Sequence, residues 1–349
     1  MNVVDQPETA GRGLCDAAAQ HGHMTGRAIV STIESVHMSR TARITTFLLF
    51  LAGAAVMPQA VQAQSLTIGL MPAVDSVPLL IAKEKGYFAD EGVTVELRMF
   101  RNQLYRETAL QSNRIDGSIS DLVNAVYAWQ SGTGLEVGSI TDGHFALLTS
   151  PESQITTISD WQRAETVEVG LLENSIIYYV AERMLEAAGA SPERIDLVTT
   201  MQVPTRMEML LQGRIEAALL PEPISRVAAQ QGAHVLVESN VLDQTPGVLI
   251  FTARALERKR PEIRALYRAY NRAVVDLNRN PDAFRGVIVR LGEFPPVVEE
   301  SMIIPDYERA RRPSPAEFED VVEWMMEKGL IDSRAPYGEV IAGPGLLPE

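Results

Sequence analysis

Residues 81–96, Ile-Ala-Lys-Glu-Lys-Gly-Tyr-Phe-Ala-Asp-Glu-Gly-Val-Thr-Val-Glu, carry the pattern that decides the fold. A helical pattern that begins at Val77 ends at Gly86, because glycine readily adopts the left-handed conformation that closes a helix. Gly92 allows a second reversal of the chain, and residues 93–99 then alternate in polarity as a strand does. The stretch therefore predicts a helix, a reversal and a strand.

Strand and helix patterns alternate through the rest of the chain. The predicted strands are 66–71, 93–99, 115–119, 136–141, 145–149, 167–171, 195–199, 215–220, 235–237 and 248–252. Helical patterns lie between most of them, and the pattern beyond residue 253 is nearly all helical. This order predicts an α/β fold in which mostly parallel sheets are flanked by helices.

The first half of this series is similar to the second half. Leu110-Gln-Ser-Asn-Arg-Ile-Asp-Gly-Ser-Ile119 parallels Leu211-Gln-Gly-Arg-Ile-Glu-Ala-Ala-Leu219. The match is either chance agreement between two helix–turn–strand units or the mark of two lobes with like topology. We favour two lobes, with lobe 1 formed by 64–143 and 246–349, which includes C-terminal helices, and lobe 2 by 144–245. A cleft between two such lobes is where small ligands usually bind.

The same residues resemble a known group of proteins. Ile81–Glu96 is similar to the opening of periplasmic substrate-binding proteins of the nitrate, sulfonate and thiamine-pyrimidine-precursor group, and Leu211–Pro223 to their second-lobe strand and cleft loop. The resemblance implies a two-lobed type II periplasmic binding-protein fold that delivers a small solute to the permease of an ABC importer. The group also contains a pyrimidine synthase with a Cys-rich motif. No cysteine follows residue 63 here, which argues against that enzymatic activity.

The first 63 residues read as a leader rather than as part of the fold. Arg40 and Arg43 precede the apolar run 44–56 and the small residues 60–63, the order found in secretory signal peptides. A membrane anchor is the alternative, but the run is shorter than the roughly 20 residues that span a bilayer. We expect 38–63 to be a signal peptide, 1–37 an upstream mis-assigned start, and the mature protein to be periplasmic.

Composition narrows the function further. The chain has 31 Lys+Arg and 45 Asp+Glu, a net charge of −14, which argues against binding nucleic acid through phosphates. Cys15 is the single cysteine, so an internal disulfide framework and a multi-cysteine metal site are ruled out. We expect no cofactor, no metal and no catalytic residues, because no nucleotide-binding or metal-ligand motif occurs.

Ligands of open α/β sheets bind beyond the carboxyl ends of the strands, and this rule selects candidates in lobe 1. They are Asp75, Ser76, Arg101, Asn102 and Asp121. Asp75, Ser76 and Asp121 could instead be helix caps, and Arg101 could be a solvated surface charge. As a ligand contact, that arginine would clamp an acidic group with two hydrogen bonds.

The resemblance implies that Thr141 and Asp142 are candidates, because they lie near the crossing between the lobes, where that group has a hinge and a cleft wall. In lobe 2 the strand-end rule selects the loops and helix starts that contain Asn174, Ser175, Tyr178, Arg206 and Glu222. Asn174 and Ser175 open a predicted helix, where free amide groups are available to a ligand. Tyr178 lies one turn further on. Arg206 could instead form a surface salt bridge, and Glu222 could accept a hydrogen bond from an amine.

Acidic residues outnumber arginines among these candidates. This balance favours a neutral or amine-bearing heteroaromatic ligand, such as a thiamine pyrimidine precursor, over a sulfonate or nitrate anion. The expected protein is a monomer that binds a small solute and docks to a permease. An exported sensor or scaffold that binds a receptor, and a pyrimidine-synthase-like enzyme, are the alternatives.

Overall fold

The computed structural model of the chain describes residues 65–200 and 202–348. The predicted signal peptide and the stretch before it lie outside the described residues. Ten strands form two sheets of five strands each. Most strands begin and end within two residues of the positions that the sequence predicts.

The first sheet contains the four strands of the N-terminal part and one that returns much later. They are β1 (Leu66–Leu70), β2 (Val95–Met99), β3 (Gly117–Asp121), β4 (Leu135–Ile140) and β10 (Gly247–Thr252). The order across the sheet is β2-β1-β3-β10-β4. β10 runs antiparallel to both of its neighbours, whereas β1 is parallel to β2 and β3.

The second sheet repeats this plan. Its strands are β5 (Phe145–Thr149), β6 (Val167–Leu171), β7 (Ile195–Thr199), β8 (Ala217–Pro221) and β9 (His234–Glu238), in the order β7-β6-β8-β5-β9. β5, which arrives from the first sheet, takes the antiparallel fourth place that β10 takes in the other sheet. Each lobe therefore receives its antiparallel strand from a chain that has just crossed between the lobes.

Helices flank both sheets. In order they are α1 (Val77–Glu84), α2 (Tyr87–Asp90), α3 (Gln103–Gln111), α4 (Leu122–Gln130), α5 (Ile158–Arg163), α6 (Ile176–Ala187), α7 (Val203–Leu211), α8 (Ile224–Gln230), α9 (Ala253–Arg258), α10 (Arg260–Arg279), α11 (Arg285–Gly292), α12 (Pro315–Glu327) and α13 (Tyr337–Val340). Short 3₁₀ turns complete them. The short helices α2, α5, α9 and α13 are not among the elements that the sequence pattern predicts.

The internal sequence repeat has a packing role in each lobe. Ile115 and Ile215 follow the repeated arginine, and they press against a glycine in β1 and in β6, the strands that hold the equivalent place in the two sheets. A Cβ atom on Gly69 would lie 2.7 Å from Ile115 Cδ1, and one on Gly170 would lie 2.5 Å from Ile215 Cδ1. The isoleucine can lie over its sheet only because the strand has no side chain there.

The C-terminal helix α12 packs on both lobes. One apolar cluster contains Leu122 and Val126 of α4, Ile177 and Val180 of α6, and Val321 of α12. Two hydrogen bonds at the end of the helix add to this packing, because Trp324 Nε1 and Lys328 Nζ each donate to the Glu182 carboxylate of α6 at 2.6 Å. The lobes therefore share one core on this side.

Two connections join the lobes, residues 141–144 and 239–246. The connections bond to each other, since Gln244 Nε2 donates to Thr141 O and Thr245 Oγ1 donates to Gly143 O, both at 3.4 Å. A third segment, residues 299–312, runs beside the first connection without regular secondary structure and is called the strap below.

Candidate functional site

The structure places Asp75 at the carboxyl end of β1, as the strand-end rule predicts. Its carboxylate is half-buried, and burial raises its pKa to about 6 although the Arg106 guanidinium opposes this shift. Ser76 beside it is fully buried, and its Oγ donates to Met71 O at 2.9 Å. The Ser76 hydroxyl also lies 3.4 Å from Asp75 Oδ1, so this carboxylate keeps one oxygen, Oδ2, for a ligand.

Asp121 occupies the corresponding place at the carboxyl end of β3. Its Oδ1 accepts from Asn124 N at 2.8 Å, so the residue caps α4, and its Oδ2 accepts from Asn124 Nδ2 at 2.6 Å. Burial raises its pKa to about 6. Asp121 thus has the capping role that the sequence left open.

Arg106 is a central residue that the sequence analysis missed. It lies on the buried face of α3, pairs with Glu107 Oε1 at 2.6 Å, and lowers the pKa of both Asp75 and Asp121. Its Nε has no hydrogen-bond partner among the described residues. The helical spacing of Arg106 from Ala109 and Leu110 was the available signal. Three carboxylates therefore surround one guanidinium, and this part of lobe 1 is net negative.

Arg101 and Asn102 do not join this group. Arg101 is 79% exposed and pairs with Glu293, which lies at the end of α11 on the surface of lobe 1. Asn102 Oδ1 accepts from Tyr105 N at 3.2 Å and caps α3. The loop after β2 thus turns its charged residue to solvent.

Thr141 and Asp142 lie in the first connection between the lobes, as predicted. The Thr141 side chain is fully buried. Asp142 Oδ2 accepts from Glu308 N of the strap at 2.9 Å, and burial raises the pKa of the carboxyl to about 6. Asp142 therefore holds the strap to the connection.

In lobe 2, Asn174 and Ser175 precede α6. Asn174 is exposed and adopts the left-handed conformation, with φ of 58°. Ser175 is buried, and its Oγ donates to Leu172 O at 2.5 Å rather than to the helix. No side chain among the described residues caps α6, so its first amide groups are open to an acceptor.

Tyr178 lies one turn further along α6 but contacts α12. Its ring packs edge-on against Trp324 with centroids 5.9 Å apart, and Lys328 Nζ lies 5.0 Å from the ring centroid. The sequence could not place it, because the covering helix comes about 140 residues later.

Arg206 is almost completely buried at the carboxyl ends of the lobe 2 strands. Its guanidinium donates to Thr200 O at 2.8 Å and to Leu219 O at 3.0 Å, and burial lowers its pKa to about 10. This rules out the exposed surface salt bridge that the sequence left open. The guanidinium instead joins the ends of β7 and β8.

Glu222 is fully buried after β8. Its Oε1 accepts from Ile303 N of the strap at 2.9 Å, and its Oε2 accepts from the Ser225 hydroxyl. Burial raises the pKa of this carboxyl. Both carboxylate oxygens therefore have partners within the protein.

Two cavities flank the second connection. One of about 300 Å³ lies among α4, α6, α12 and residues 242–246. The other, of about 380 Å³, lies between the connections and the strap and is lined by Asp142, His144, Glu238 and Asp243 among others. Of the candidate residues selected from the sequence, Asp142 lines the second of these two cavities.

Two further findings concern residues 65–200 and 202–348 only. No helix there combines the length and apolar character needed to cross a bilayer. No group of three or more His, Cys, Asp or Glu side chains in the same part of the chain has the arrangement of a metal site.

Solved structures with this arrangement of lobes are numerous. A zinc-bound ligand-binding component of an ABC-type import system from Staphylococcus aureus aligns with a TM-score of 0.67 at 16% identity, covering 81% of this chain and 97% of that one. The periplasmic aliphatic sulphonate binding protein SsuA from Escherichia coli aligns with a TM-score of 0.62 at 17% identity, covering 80% of this chain and 92% of that one. The periplasmic nitrate-binding protein NrtA from Synechocystis PCC 6803 aligns with a TM-score of 0.64 at 12% identity, covering 78% of this chain and 83% of that one.

These likenesses show the fold, which is the two-lobed fold of periplasmic binding proteins that the sequence predicts. A comparison with curated proteins finds no match. The description of the NMT1-like family matches residues 59–291, well over half of the sequence. The chain therefore belongs to the NMT1-like family.

Proposed function

We propose that this protein is an exported solute-binding protein that holds a small amine-bearing heteroaromatic molecule between its lobes. A thiamine pyrimidine precursor is the ligand we favour, and an ABC permease the partner that receives it. The observation that carries the proposal is the pair of carboxylates, Asp75 and Asp121, at adjoining strand ends beside Arg106. The proposed protein works as a monomer and catalyses no reaction.

The charge of lobe 1 supports a ligand that donates hydrogen bonds. Asp75, Asp121 and Glu107 together outweigh the single Arg106, and an amino group beside a ring nitrogen would find carboxylate oxygens to accept from it. Across the cleft, the uncapped start of α6 offers backbone donors to a ring nitrogen or hydroxyl of the same ligand. Lobe 1 would therefore supply hydrogen-bond acceptors to the ligand, and lobe 2 would supply donors.

Delivery to a permease is supported by the kind of fold. The Staphylococcus aureus neighbour is named as a component of an ABC-type import system, and the structural alignment covers 97% of that protein. In such a mechanism the lobes rotate about their connections, and the ligand favours the closed arrangement by making contacts in both lobes. A signal peptide would place the protein in the periplasm, where the permease is reached.

An anionic ligand is the second candidate, because two neighbours are named for sulphonate and nitrate. The arginines argue against it. Arg101 is paired with Glu293 at the surface, and the buried Arg206 already donates hydrogen bonds to two backbone carbonyl oxygens. An enzyme of the pyrimidine-synthase type is disfavoured by the lack of any cysteine after residue 63.

The test is a thermal-shift panel followed by calorimetry. We expect an aminopyrimidine that carries a hydroxymethyl group to raise the melting temperature, and nitrate and short alkanesulfonates to leave it unchanged. Asp75→Asn should weaken aminopyrimidine binding by about tenfold or more, the loss of one charge-assisted hydrogen bond. Arg101→Gln is the matched control and should bind like the wild type. Stabilisation by the anions alone would overturn the proposed ligand class.

A further inference from the structure

The strap is held to lobe 1 by side chains that satisfy its backbone. Asn278 of α10 accepts from Tyr307 N at 3.1 Å and donates to Tyr307 O at 2.8 Å, and Asn271 of the same helix accepts from Ala310 N at 2.8 Å. Tyr307 also donates through its hydroxyl to Val74 O at 2.9 Å. The irregular segment is therefore a fixed part of lobe 1 and moves with it.

The strap also runs along the first connection between the lobes. Ile140 N donates to Arg311 O at 2.9 Å, and Glu308 N donates to Asp142 Oδ2 at 2.9 Å. The first connection also bonds to the second connection, because Gln244 Nε2 donates to Thr141 O. Three segments thus lie side by side where the lobes join, although the chain has only two connections between the sheets.

Two side chains of lobe 2 reach the strap. Glu222 Oε1 accepts from Ile303 N at 2.9 Å, and Gln230 Nε2 of α8 donates to Ser301 Oγ at 2.6 Å. The Glu222 carboxylate is fully buried, so water does not compete for this bond. Because the strap belongs to lobe 1, any rotation between the lobes changes both distances.

We infer that Glu222 and Gln230 are positioning residues that set the resting arrangement of the two lobes by tethering lobe 2 to the strap. The inference goes beyond ligand recognition, and it gives Glu222 a role that needs no ligand. The two contacts favour the lobe arrangement described above over one rotated about the connections, since rotation would break the hydrogen bond between the buried Glu222 Oε1 and Ile303 N. The proposed function depends on such rotation, but the tether is measurable in the ligand-free protein.

The experiment measures the distance between the lobes. Spin labels are attached at Glu96→Cys on β2 and Asp196→Cys on β7, two exposed positions on the outer edge strands, in a Cys15→Ser background. Electron–electron resonance then gives the interspin distance distribution without added ligand. We expect Glu222→Ala and Gln230→Ala each to add a population outside the wild-type distribution.

Two controls separate a tether from a merely structural role. Glu222→Gln keeps an oxygen that accepts from Ile303 N, so it should restore the wild-type distances. Gln231→Ala changes the exposed neighbour of Gln230 and should have no effect. If Glu222→Ala does not fold, Gln230→Ala decides the matter, because it removes both hydrogen bonds of the Gln230 amide, to Ser301 Oγ and to Val297 O. Wild-type distances in the folded tether variants would overturn the inference, whichever ligand the protein binds.

Discussion

Arg106 and Arg206 occupy the same position in the two halves of the molecule: each is the fourth residue of the helix that follows the equivalent edge strand of its sheet, β2 or β7, and each is buried. Their partners differ. Arg106 lies among carboxylates, whereas Arg206 donates to the carbonyl oxygens of Thr200 and Leu219. One repeated position therefore balances acidic charge in lobe 1 and joins strand ends in lobe 2.

Replacing Arg206 should reduce stability. Arg206→Met keeps most of the volume but leaves two buried carbonyls without donors, and we expect the free energy of unfolding to fall by about 2 kcal/mol. Urea denaturation followed by circular dichroism measures it. Arg101→Met removes an exposed, salt-bridged arginine instead and should cost less than about 0.5 kcal/mol. Equal losses in the two variants would contradict the structural role of Arg206.

Stability should depend on pH through carboxyls whose pKa is raised by burial. The pKa of Asp142 is raised from 3.8 to about 6 in the folded chain, so between these values the folded chain holds a proton that the unfolded chain releases. This group therefore makes the free energy of unfolding fall as pH rises through that window. The pKa values of Asp75 and Asp121 are also raised by burial, so these two groups likewise lower the free energy of unfolding as the pH rises.

The variant Asp142→Asn isolates one of these groups. The amide oxygen can still accept from Glu308 N, but the side chain no longer ionises. We expect the variant to match the wild type most closely near pH 4 and to exceed its stability near pH 8 by about 2 kcal/mol. Denaturation curves at both pH values measure the difference. Parallel pH dependences for the two proteins would show that Asp142 does not titrate in this range.

The contact between Gly170 and Ile215 predicts a coupled pair of substitutions. Gly170→Ala places a Cβ 2.5 Å from Ile215 Cδ1, and such overpacking should cost about 2 kcal/mol. Ile215→Val removes the Cδ1 atom that clashes. The double variant should therefore be more stable than the sum of the two single effects predicts, which a double-mutant cycle tests. Additive effects would mean that the strand shifts to make room.

The start of α12 should depend on its capping box. Ser314 Oγ accepts from Glu317 N at 3.2 Å, and the Glu317 carboxylate accepts from Ser314 N at 2.6 Å. Ser314→Ala should lower the free energy of unfolding by about 1 kcal/mol. Thr157→Ala removes the same kind of cap from the short helix α5 and serves for comparison. An unchanged transition midpoint for Ser314→Ala would contradict the predicted contribution.

The sequence predicted the regular elements well because their signals are local. The Arg-Ile-acid repeat predicted two like lobes, and the positive φ of Gly86 and Gly92 confirms the predicted reversals, at 73° and 71°. Strand direction is not local, and nothing near Phe145 or Gly247 shows that β5 and β10 run antiparallel to their neighbours.

The candidate site was less predictable for the same reason. The strand-end rule selected Asp75 and Asp121, which the structure places beside Arg106, but it did not find that arginine. Tyr178 and Glu222 satisfy the rule equally well, yet α12 and the strap, which come much later in the chain, cover them. A side chain at a strand end is open to a ligand only if no distant segment reaches it first.

The place of β10 in the first sheet also constrains how the chain assembles. β10 lies between β3 and β4, but more than a hundred residues separate it in sequence from β4, and those residues form the whole second sheet. Until residues 247–252 arrive, β3 and β4 have no partner on their facing edges, and unpaired edges are prone to join other chains. The strands of the second sheet are consecutive in the sequence, so this sheet needs no strand from a later part of the chain. A chain delivered from its N-terminus can thus complete the later lobe first, and the completed lobe then supplies the strand that closes the earlier one.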